Sequence, residues 1–489
     1  MSFDLVLFGG TGDLAWRKLM PALFQAFRHC KLPADGRILA VARDERSDDD
    51  YRAFVKERFA AVEAAKQPSA DEFARFAGLL HYRRMDLAHP EDYAGLKRWL
   101  EQPKADEGRG APAATVLLYL ATSPHLFPVI CAQLGAIGLN GPQVRIVLEK
   151  PLGHDLRSAQ EINRVVRSSF AETQAFRIDH YLGKPSVQNL MALRFGNVLF
   201  EPLWRRDSVA NIEITITETL GVGTRGDFYD QTGALRDMIQ SHALQLLTML
   251  AMEPPSSSDA DAIRDEKLKV LRSLKAYTAE SVGRDVVRGQ YRAGTIDGKP
   301  VPGYLEEEGV PAESRCETFV ALRTEVQNWR WAGVPFYLRT GKRLAEHDAQ
   351  IVVNFRPTPH NIFAGASRPN RLVIKLQPED GLELHLLAAK GAMQGESLVP
   401  VSLDLDFDKA FAADRVGAYE RLLLDALAGR LNLFVRSDEQ EQAWRWVEPI
   451  LDAWASDGSS PRPYTAGSWG PPAASALIAR DGCAWPEEQ

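Results

Sequence analysis

One short segment of the chain combines four different chemical groups. A carboxylate, an imidazole, a phenol and an ammonium group follow one another at Asp179, His180, Tyr181 and Lys184. Pro185 suits the first position of a helix, because its missing N–H group has no bond to make there. The free N–H groups at a helix N-terminus favour an anion. The segment therefore indicates a phosphate or carboxylate site, and the alternative is a helix start with a capping aspartate and solvated cations.

A second histidine lies in a predicted helix from Gly233 to Met252, beside the acid Asp237. On an ideal α-helix Asp237 and His242 point about 140° apart, so the two side chains do not pair directly. A bound sugar could contact both groups at different hydroxyls. A lone histidine in an apolar helix is more often a core residue, and the pattern alone favours that interpretation.

A glycine-rich turn follows the first apolar run of the chain. The segment Phe3–Phe8 predicts a buried parallel strand, and an apolar helix pattern begins at Leu14. Gly10, Gly12 and Ala15 match the dinucleotide-binding fingerprint, whose glycines let the backbone approach a pyrophosphate. The predicted cofactor contacts are Gly9, Gly10, Thr11, Gly12, Asp13 and Leu14.

The second strand, predicted over residues 37–43, ends where the adenosine ribose is expected. Arg43 there favours the 2′-phosphate of NADP, whereas the adjacent Asp44 would repel it or bind a ribose hydroxyl. We therefore expect NADP to be used, with NAD as a possible second cofactor. Asp44 can also belong simply to the acidic loop that follows.

Two further residues lie at predicted strand ends. Lys150 follows the strand Val144–Leu148, at the sheet edge where nicotinamide and substrate are expected to meet. The segment Val209–Thr219 alternates, which predicts an antiparallel strand with one face exposed to solvent. Glu218 falls on its apolar side, an unusual place for a carboxylate.

Length and composition limit the class of protein. A chain of 489 residues is longer than a single hydrophobic core usually supports, so two domains are expected. A net charge of −7 argues against nucleic-acid binding. The four cysteines are scattered, which predicts no metal site or disulfide framework and suits the cytoplasm. Neither a signal peptide nor a membrane span is expected.

The predicted architecture is an α/β Rossmann domain, a doubly wound parallel sheet, over residues 1–178, followed by an α+β domain over residues 179–489. The second domain is expected to carry a large, mainly antiparallel sheet. Its further predicted strands are Thr318–Glu325, Gln350–Phe355, Arg371–Gln377 and Leu382–Leu387.

Five motifs together resemble glucose-6-phosphate dehydrogenases of the bacterial type, from Leu5 to about Asp481. They are GGTGDLAWRKLMPALF, EKPLG, RIDHYLGK, LRDMIQSHALQ and AGSWGP, and the third is highly specific to that family. The resemblance implies oxidation of glucose 6-phosphate at C1 to 6-phosphogluconolactone with reduction of NADP, the first step of the oxidative pentose phosphate pathway. It also implies a homodimer or homotetramer, without deciding between them.

Carried onto this chain, the resemblance implies a role for each candidate residue. His242 is the general base, and Asp179 orients it. His180, Tyr181 and Lys184 hold the sugar phosphate. Contact with both sugar and cofactor is implied for Lys150. Contacts with the sugar alone are implied for Glu218, Asp237 and Lys342. No metal is needed, because hydride goes to the cofactor and the hydroxyl proton to histidine.

Three positions depart from the family pattern, at Leu152, Pro185 and Ser241, and they put affinity rather than the reaction in doubt. Two alternatives stay open at this point. One is a sugar dehydrogenase of the glucose–fructose oxidoreductase type, and the other is a non-catalytic NADP sensor.

Overall fold

The computed structural model describes residues 2–33, 35–60, 67–102, 115–363, 368–390, 397–410 and 416–488. Contacts divide the chain into two compact units. The first is drawn from Met1–Gly183, Ser257–Arg264 and Val416–Glu441, and the second from Lys184–Ser256, Asp265–Arg415 and Gln442–Gln489. The boundary predicted between residues 178 and 179 stays a prediction.

The first unit is built on a seven-stranded sheet. Across the sheet the strands are Phe434–Val435, Ala175–Ile178, Val144–Leu148, Thr115–Leu120, Phe3–Phe8, Gly36–Ala42 and Leu80–Arg84. Six strands are parallel, and the short strand Phe434–Val435 pairs antiparallel with Ala175–Ile178. This order confirms the predicted doubly wound parallel sheet.

Both faces of this sheet are buried, as the apolar strand sequences require. In the first strand Leu5 and Leu7 belong to one hydrophobic core, while Val6 and Phe8 belong to the other. The helices of the unit are Met20–Arg28, Asp48–Phe59, Ala70–Ala77, Pro90–Leu100, Phe127–Ala136, Leu156–Ser169 and Ala418–Ala428, and a π-helical turn at Ala15–Leu19 precedes the first. The late helix Ala418–Ala428 buries Leu422 in the core of Leu5 and Leu7.

The second unit carries a nine-stranded sheet. Across it the strands are Ser397–Asp406, Gly381–Lys390, Arg371–Gln377, Asp348–Phe355, Val209–Thr217, Pro335–Gly341, Phe319–Glu325, Val286–Arg292 and Arg462–Thr465. All neighbours are antiparallel except two parallel pairs, which Pro335–Gly341 makes with Val209–Thr217 and Arg462–Thr465 makes with Val286–Arg292. The prediction of a large, mainly antiparallel sheet is confirmed.

The prediction that one face of the strand Val209–Thr217 is exposed to solvent is wrong. Glu213, Thr215 and Thr217, which alternate with the isoleucines, are all buried. The strand is fifth of nine in the sheet, and polar groups from the same unit bond to part of its second face: the Asn354 amide donates to one oxygen of Glu213 at 2.7 Å. The alternating polar residues of this strand therefore form a buried polar layer and do not face solvent.

One of the helices of the second unit is wound as a π-helix over nine residues. The helices of this unit are Pro185–Phe195, Gly226–Ala234, the π-helix Leu235–Ala243, Leu244–Ala251, Ala279–Asp285, Phe407–Ala410 and Pro472–Ala479. Two more helices, Ala260–Arg272 and Ser437–Asp457, contribute residues to both units, and a small hairpin joins Gly294–Ile296 to Lys299–Val301. Among the described residues, no helix combines the length and apolar composition needed to cross a membrane.

Candidate functional site

The glycine turn of the first unit has the geometry that the fingerprint predicts. The N–H groups of Gly9 and Gly10 donate to the carbonyl of Val41 at 2.9 and 3.1 Å. Gly9 has φ of 85°, which favours glycine. A Cβ atom on Gly10 would lie 2.5 Å from the Cβ of Ala40. Gly10 therefore lets the turn pack directly against the second strand, at the carboxyl edge of the parallel sheet.

The rest of the turn leads directly into the first helical segment. The Gly12 N–H donates to the Gly9 carbonyl at 2.9 Å, and the Trp16 indole donates to the Thr11 carbonyl at 3.1 Å. Asp13 is exposed and pairs with Arg17. Thr11, Gly12, Asp13 and Leu14 thus follow the strand Phe3–Phe8 as one compact turn.

Arg43 and Asp44 follow the second strand and are both exposed. Their carbonyls are held from the third strand, since Arg84 donates to Arg43 and the Tyr82 hydroxyl donates to Asp44 at 2.5 Å. Arg46 lies in no sequence motif and was not predicted, and its guanidinium stacks 4.4 Å from the centre of the Phe54 ring. Within the described part of the chain, the buried Nε of Arg46 has no hydrogen-bond partner. This edge offers two arginines to an anion, not one.

Lys150 lies at the same carboxyl edge, directly after the buried Glu149. The Tyr119 hydroxyl donates to Glu149 at 2.5 Å, and the Lys150 N–H donates to its other oxygen at 3.2 Å. Burial raises the pKa of Glu149 to about 7, against the opposing effect of the Tyr119 hydrogen bond. A buried carboxyl group thus holds the backbone of the predicted lysine.

Asp179, His180 and Tyr181 follow the strand Ala175–Ile178, which is the neighbour of the Lys150 strand. Asp179 is buried, and one of its oxygens accepts the Tyr181 N–H at 2.9 Å. The His180 ring stacks on Tyr419 with a centroid separation of 6.0 Å. The first unit therefore gathers its predicted residues at the edge where ligands bind in such sheets.

In the second unit, the helix Pro185–Phe195 begins at the residue predicted for its first position. Lys184 is the N-cap of this helix, and Pro185 opens it. The Lys184 side chain is only 8% exposed, with its ammonium 3.4 Å from the Leu376 carbonyl. A buried cation at a helix N-terminus agrees with the anion site that the segment indicates.

Glu218 and Lys342 come together in the second unit. The Lys342 ammonium lies 2.5 Å from a Glu218 oxygen and 5.0 Å from the centre of the Tyr229 ring. The Glu218 N–H also donates to the Gly341 carbonyl at 3.0 Å. Two residues that are 124 positions apart thus form one polar pair at neighbouring strand ends.

The helix that carries Asp237 and His242 differs from the prediction. Gly233, with φ of 71° and ψ of 168°, interrupts it, and Leu235–Ala243 is wound as a π-helix. In a π-helix each N–H bonds five residues back, so residues five apart lie on the same side. The predicted separation of about 140°, which assumed α-helical winding, is therefore wrong. His242 is buried, with 2% of its surface exposed.

Ser241, which departs from the family pattern, has a local role in this helix. Its hydroxyl donates to the Asp237 carbonyl at 2.8 Å. A further contact comes from Glu317, whose carboxylate accepts the Leu235 N–H at 3.0 Å. Neither Glu317 nor Tyr419 was identified from the sequence, because each acts on a segment far away in the chain and neither lies in a motif.

Two family models match nearly the whole chain. The model of the glucose-6-phosphate dehydrogenase NAD binding domain matches residues 6–189, and the model of the C-terminal domain of the same family matches residues 191–486.

Curated relatives and solved structures agree with these models. Glucose-6-phosphate 1-dehydrogenase of Rhizobium meliloti is 47% identical, over 99% of this chain and 97% of the relative. That of Mycolicibacterium smegmatis is 48% identical, again over 99% and 97%. A glucose-6-phosphate dehydrogenase solved in complex with glucose 6-phosphate is 33% identical, with a TM-score of 0.91 over 99% of this chain and 98% of the other.

Proposed function

The chain belongs to the glucose-6-phosphate dehydrogenase family, and from this premise we propose that it oxidises D-glucose 6-phosphate at C1 to 6-phospho-D-glucono-1,5-lactone. The hydride passes to a nicotinamide cofactor. The observation that carries the proposal is similarity along the whole chain to relatives of this activity, one of them solved with the substrate bound.

His242 is the proposed general base, which takes the proton of the C1 hydroxyl as hydride leaves C1. Imidazole has an ordinary pKa of about 6.5 and therefore suits proton abstraction near neutral pH. Asp179 is proposed to orient the imidazole and to stabilise the imidazolium that forms. The burial of both side chains supports these roles, because a shielded carboxylate and base interact more strongly than solvated ones.

The sugar phosphate is proposed to bind His180, Tyr181 and Lys184. The N-terminus of the helix Pro185–Phe195 adds backbone N–H groups and a favourable dipole. With a net charge of −7 the protein as a whole repels an anion, so these local cations are required.

The sugar hydroxyls are proposed to bind Asp237, Glu218 and Lys342. The ion pair between Lys342 and Glu218 supports this role, because it presents both a donor and an acceptor. Lys150 is proposed to contact both substrate and cofactor.

NADP is the proposed cofactor, with NAD as a second one. The glycine turn supports a dinucleotide site, since Gly10, Gly12 and Ala15 follow the fingerprint between the first strand and the first helical segment. Arg43 and Arg46 would hold the 2′-phosphate that distinguishes NADP, since both follow the second strand closely. When bound, the nicotinamide supplies the hydride acceptor, while the protein binds, orients and removes the proton.

Steady-state kinetics test this function directly. Purified protein is assayed with glucose 6-phosphate or glucose, and with NADP or NAD, by following absorbance of the reduced cofactor. We expect turnover with the phosphorylated sugar and a higher kcat/KM with NADP. Equal turnover of glucose would favour the glucose–fructose oxidoreductase type, and binding without turnover would favour a sensor.

Self-association as a homodimer or homotetramer and a cytoplasmic location stay predictions. The edge strand Ser397–Asp406 supports self-association, because it exposes three apolar side chains, Val401, Leu403 and Leu405. Sedimentation of the purified protein tests the assembly.

A further inference from the structure

A buried carboxylate lies at the start of the helix that carries His242. Glu317 lies two residues before the strand Phe319–Glu325 and has only 5% of its surface exposed. Its carboxylate accepts the Leu235 N–H at 3.0 Å, and its carbonyl accepts the Ala234 N–H at 3.0 Å. One residue thus binds two successive N–H groups at the start of the π-helix.

Gly233 makes this contact possible. A Cβ atom at position 233 would lie 2.4 Å from Oε1 and 2.9 Å from Oε2 of Glu317. The positive φ of Gly233 turns the preceding helix Gly226–Ala234 away and begins the π-helix in a new direction. The glycine and the glutamate are therefore two halves of one junction.

The residue after Glu317 fixes a second predicted substrate residue. The Thr318 carbonyl accepts the Lys342 N–H at 2.9 Å, and Tyr464 donates to the Lys342 carbonyl at 2.6 Å. Tyr464 also lies 2.9 Å from the Thr318 hydroxyl. The dipeptide Glu317–Thr318 is consequently bonded to the His242 helix on one side and to the Lys342 backbone on the other.

From this geometry we infer that Glu317 is a positioning residue, which holds the π-helix so that His242 and Asp237 meet the sugar that Lys342 also contacts. The inference rests on the proposed function and adds to it a residue that contacts no reacting atom. His242 follows Leu235 by seven residues, near the other end of the π-helix. A tilt at the start of the helix therefore displaces the imidazole of His242. A displacement of about 1 Å at a reacting group can lower a rate by about a hundredfold.

The hydrogen bond, not the negative charge, is the essential part of this contact. Burial raises the pKa of the Glu317 carboxyl, while the Leu235 N–H favours the ionised form. Either form presents an oxygen that accepts the N–H bond. Glutamine also presents one, whereas leucine fills similar space and presents none.

The test compares Glu317→Leu with Glu317→Gln in the full-length protein. We expect Glu317→Leu to lower kcat about a hundredfold with a smaller change in KM for glucose 6-phosphate, and Glu317→Gln to stay within about threefold of wild type. With glucose 6-phosphate deuterated at C1, Glu317→Leu is expected to show a larger isotope effect on kcat, because hydride transfer becomes rate-limiting.

Gly233→Ala is a second variant, which breaks the same junction from the helix side and should give the same pattern. Glu213→Leu is the matched control: it removes a similarly buried glutamate from the strand Val209–Thr217 of the same sheet, and a lower melting temperature with wild-type kcat is expected. Folded Glu317→Leu protein with wild-type kcat and isotope effect would overturn the inference. Inactive wild-type protein would instead overturn the proposed function.

Discussion

The glycine turn and the His242 helix bring functional groups into place by different means. The conformation of the turn is set within four residues, by the hydrogen bond from Gly12 to Gly9 and the left-handed φ of Gly9, and the neighbouring Val41 carbonyl only anchors it to the sheet. The His242 helix depends on Glu317, which is 82 residues away from its partner Leu235. A short motif therefore specifies a binding turn, whereas the orientation of the base depends on tertiary contacts.

This difference explains what the sequence could predict. The parallel sheet, the turn and the helix beginning at Pro185 were predicted correctly, because each follows from neighbouring residues. The π-helix was not, since no local propensity distinguishes its nine residues from an α-helix. The buried polar face of the strand Val209–Thr217 was also missed, because alternation resembles a solvent-exposed strand when buried polar partners come from elsewhere.

The largest effect that probes the turn is expected from Gly10→Ala. The new Cβ would lie 2.5 Å from the Cβ of Ala40, so the turn must shift relative to the second strand and displace the proposed pyrophosphate site. We expect KM for NADP to rise more than tenfold, with a smaller change in KM for glucose 6-phosphate. Gly141→Ala is the control, since its Cβ would have no neighbour within 4 Å. An unchanged KM for NADP in Gly10→Ala would contradict the proposed role of the turn in binding the cofactor.

A smaller effect is expected from Arg46→Ala, which tests whether the end of the second strand binds the 2′-phosphate of NADP. Loss of one cation for the 2′-phosphate should weaken NADP binding about tenfold and leave NAD binding nearly unchanged. Equilibrium titration with each cofactor measures both. Arg58→Ala is the matched control, because Arg58 stacks on the same Phe54 ring, at 5.3 Å. Equal losses for NADP and NAD would contradict the assignment.

The smallest effect concerns Glu149, beneath the predicted Lys150. Its folded pKa of about 7 lies above the ordinary value of 4.5, so the folded state binds more protons between these values. Its contribution to stability is therefore present below pH 4.5 and is lost as pH rises to about 7. Glu149→Gln removes this dependence.

Thermal melting at pH 5 and pH 8 measures the Glu149 effect. The melting temperature of Glu149→Gln relative to wild type is expected to rise by about 1–3 °C between the two pH values. A difference that falls with pH would show that the carboxylate is favoured in the folded protein.

The most direct test of the central claim is a comparison of His242→Asn with wild type. The claim is that an imidazole held by a buried carboxylate removes the C1 proton while the cations ahead of a helix hold the phosphate. We expect His242→Asn to lower kcat by about 10³–10⁴, within the range for loss of a general base, while the Kd for glucose 6-phosphate stays within about threefold. Turnover near the wild-type rate in this variant would contradict the account.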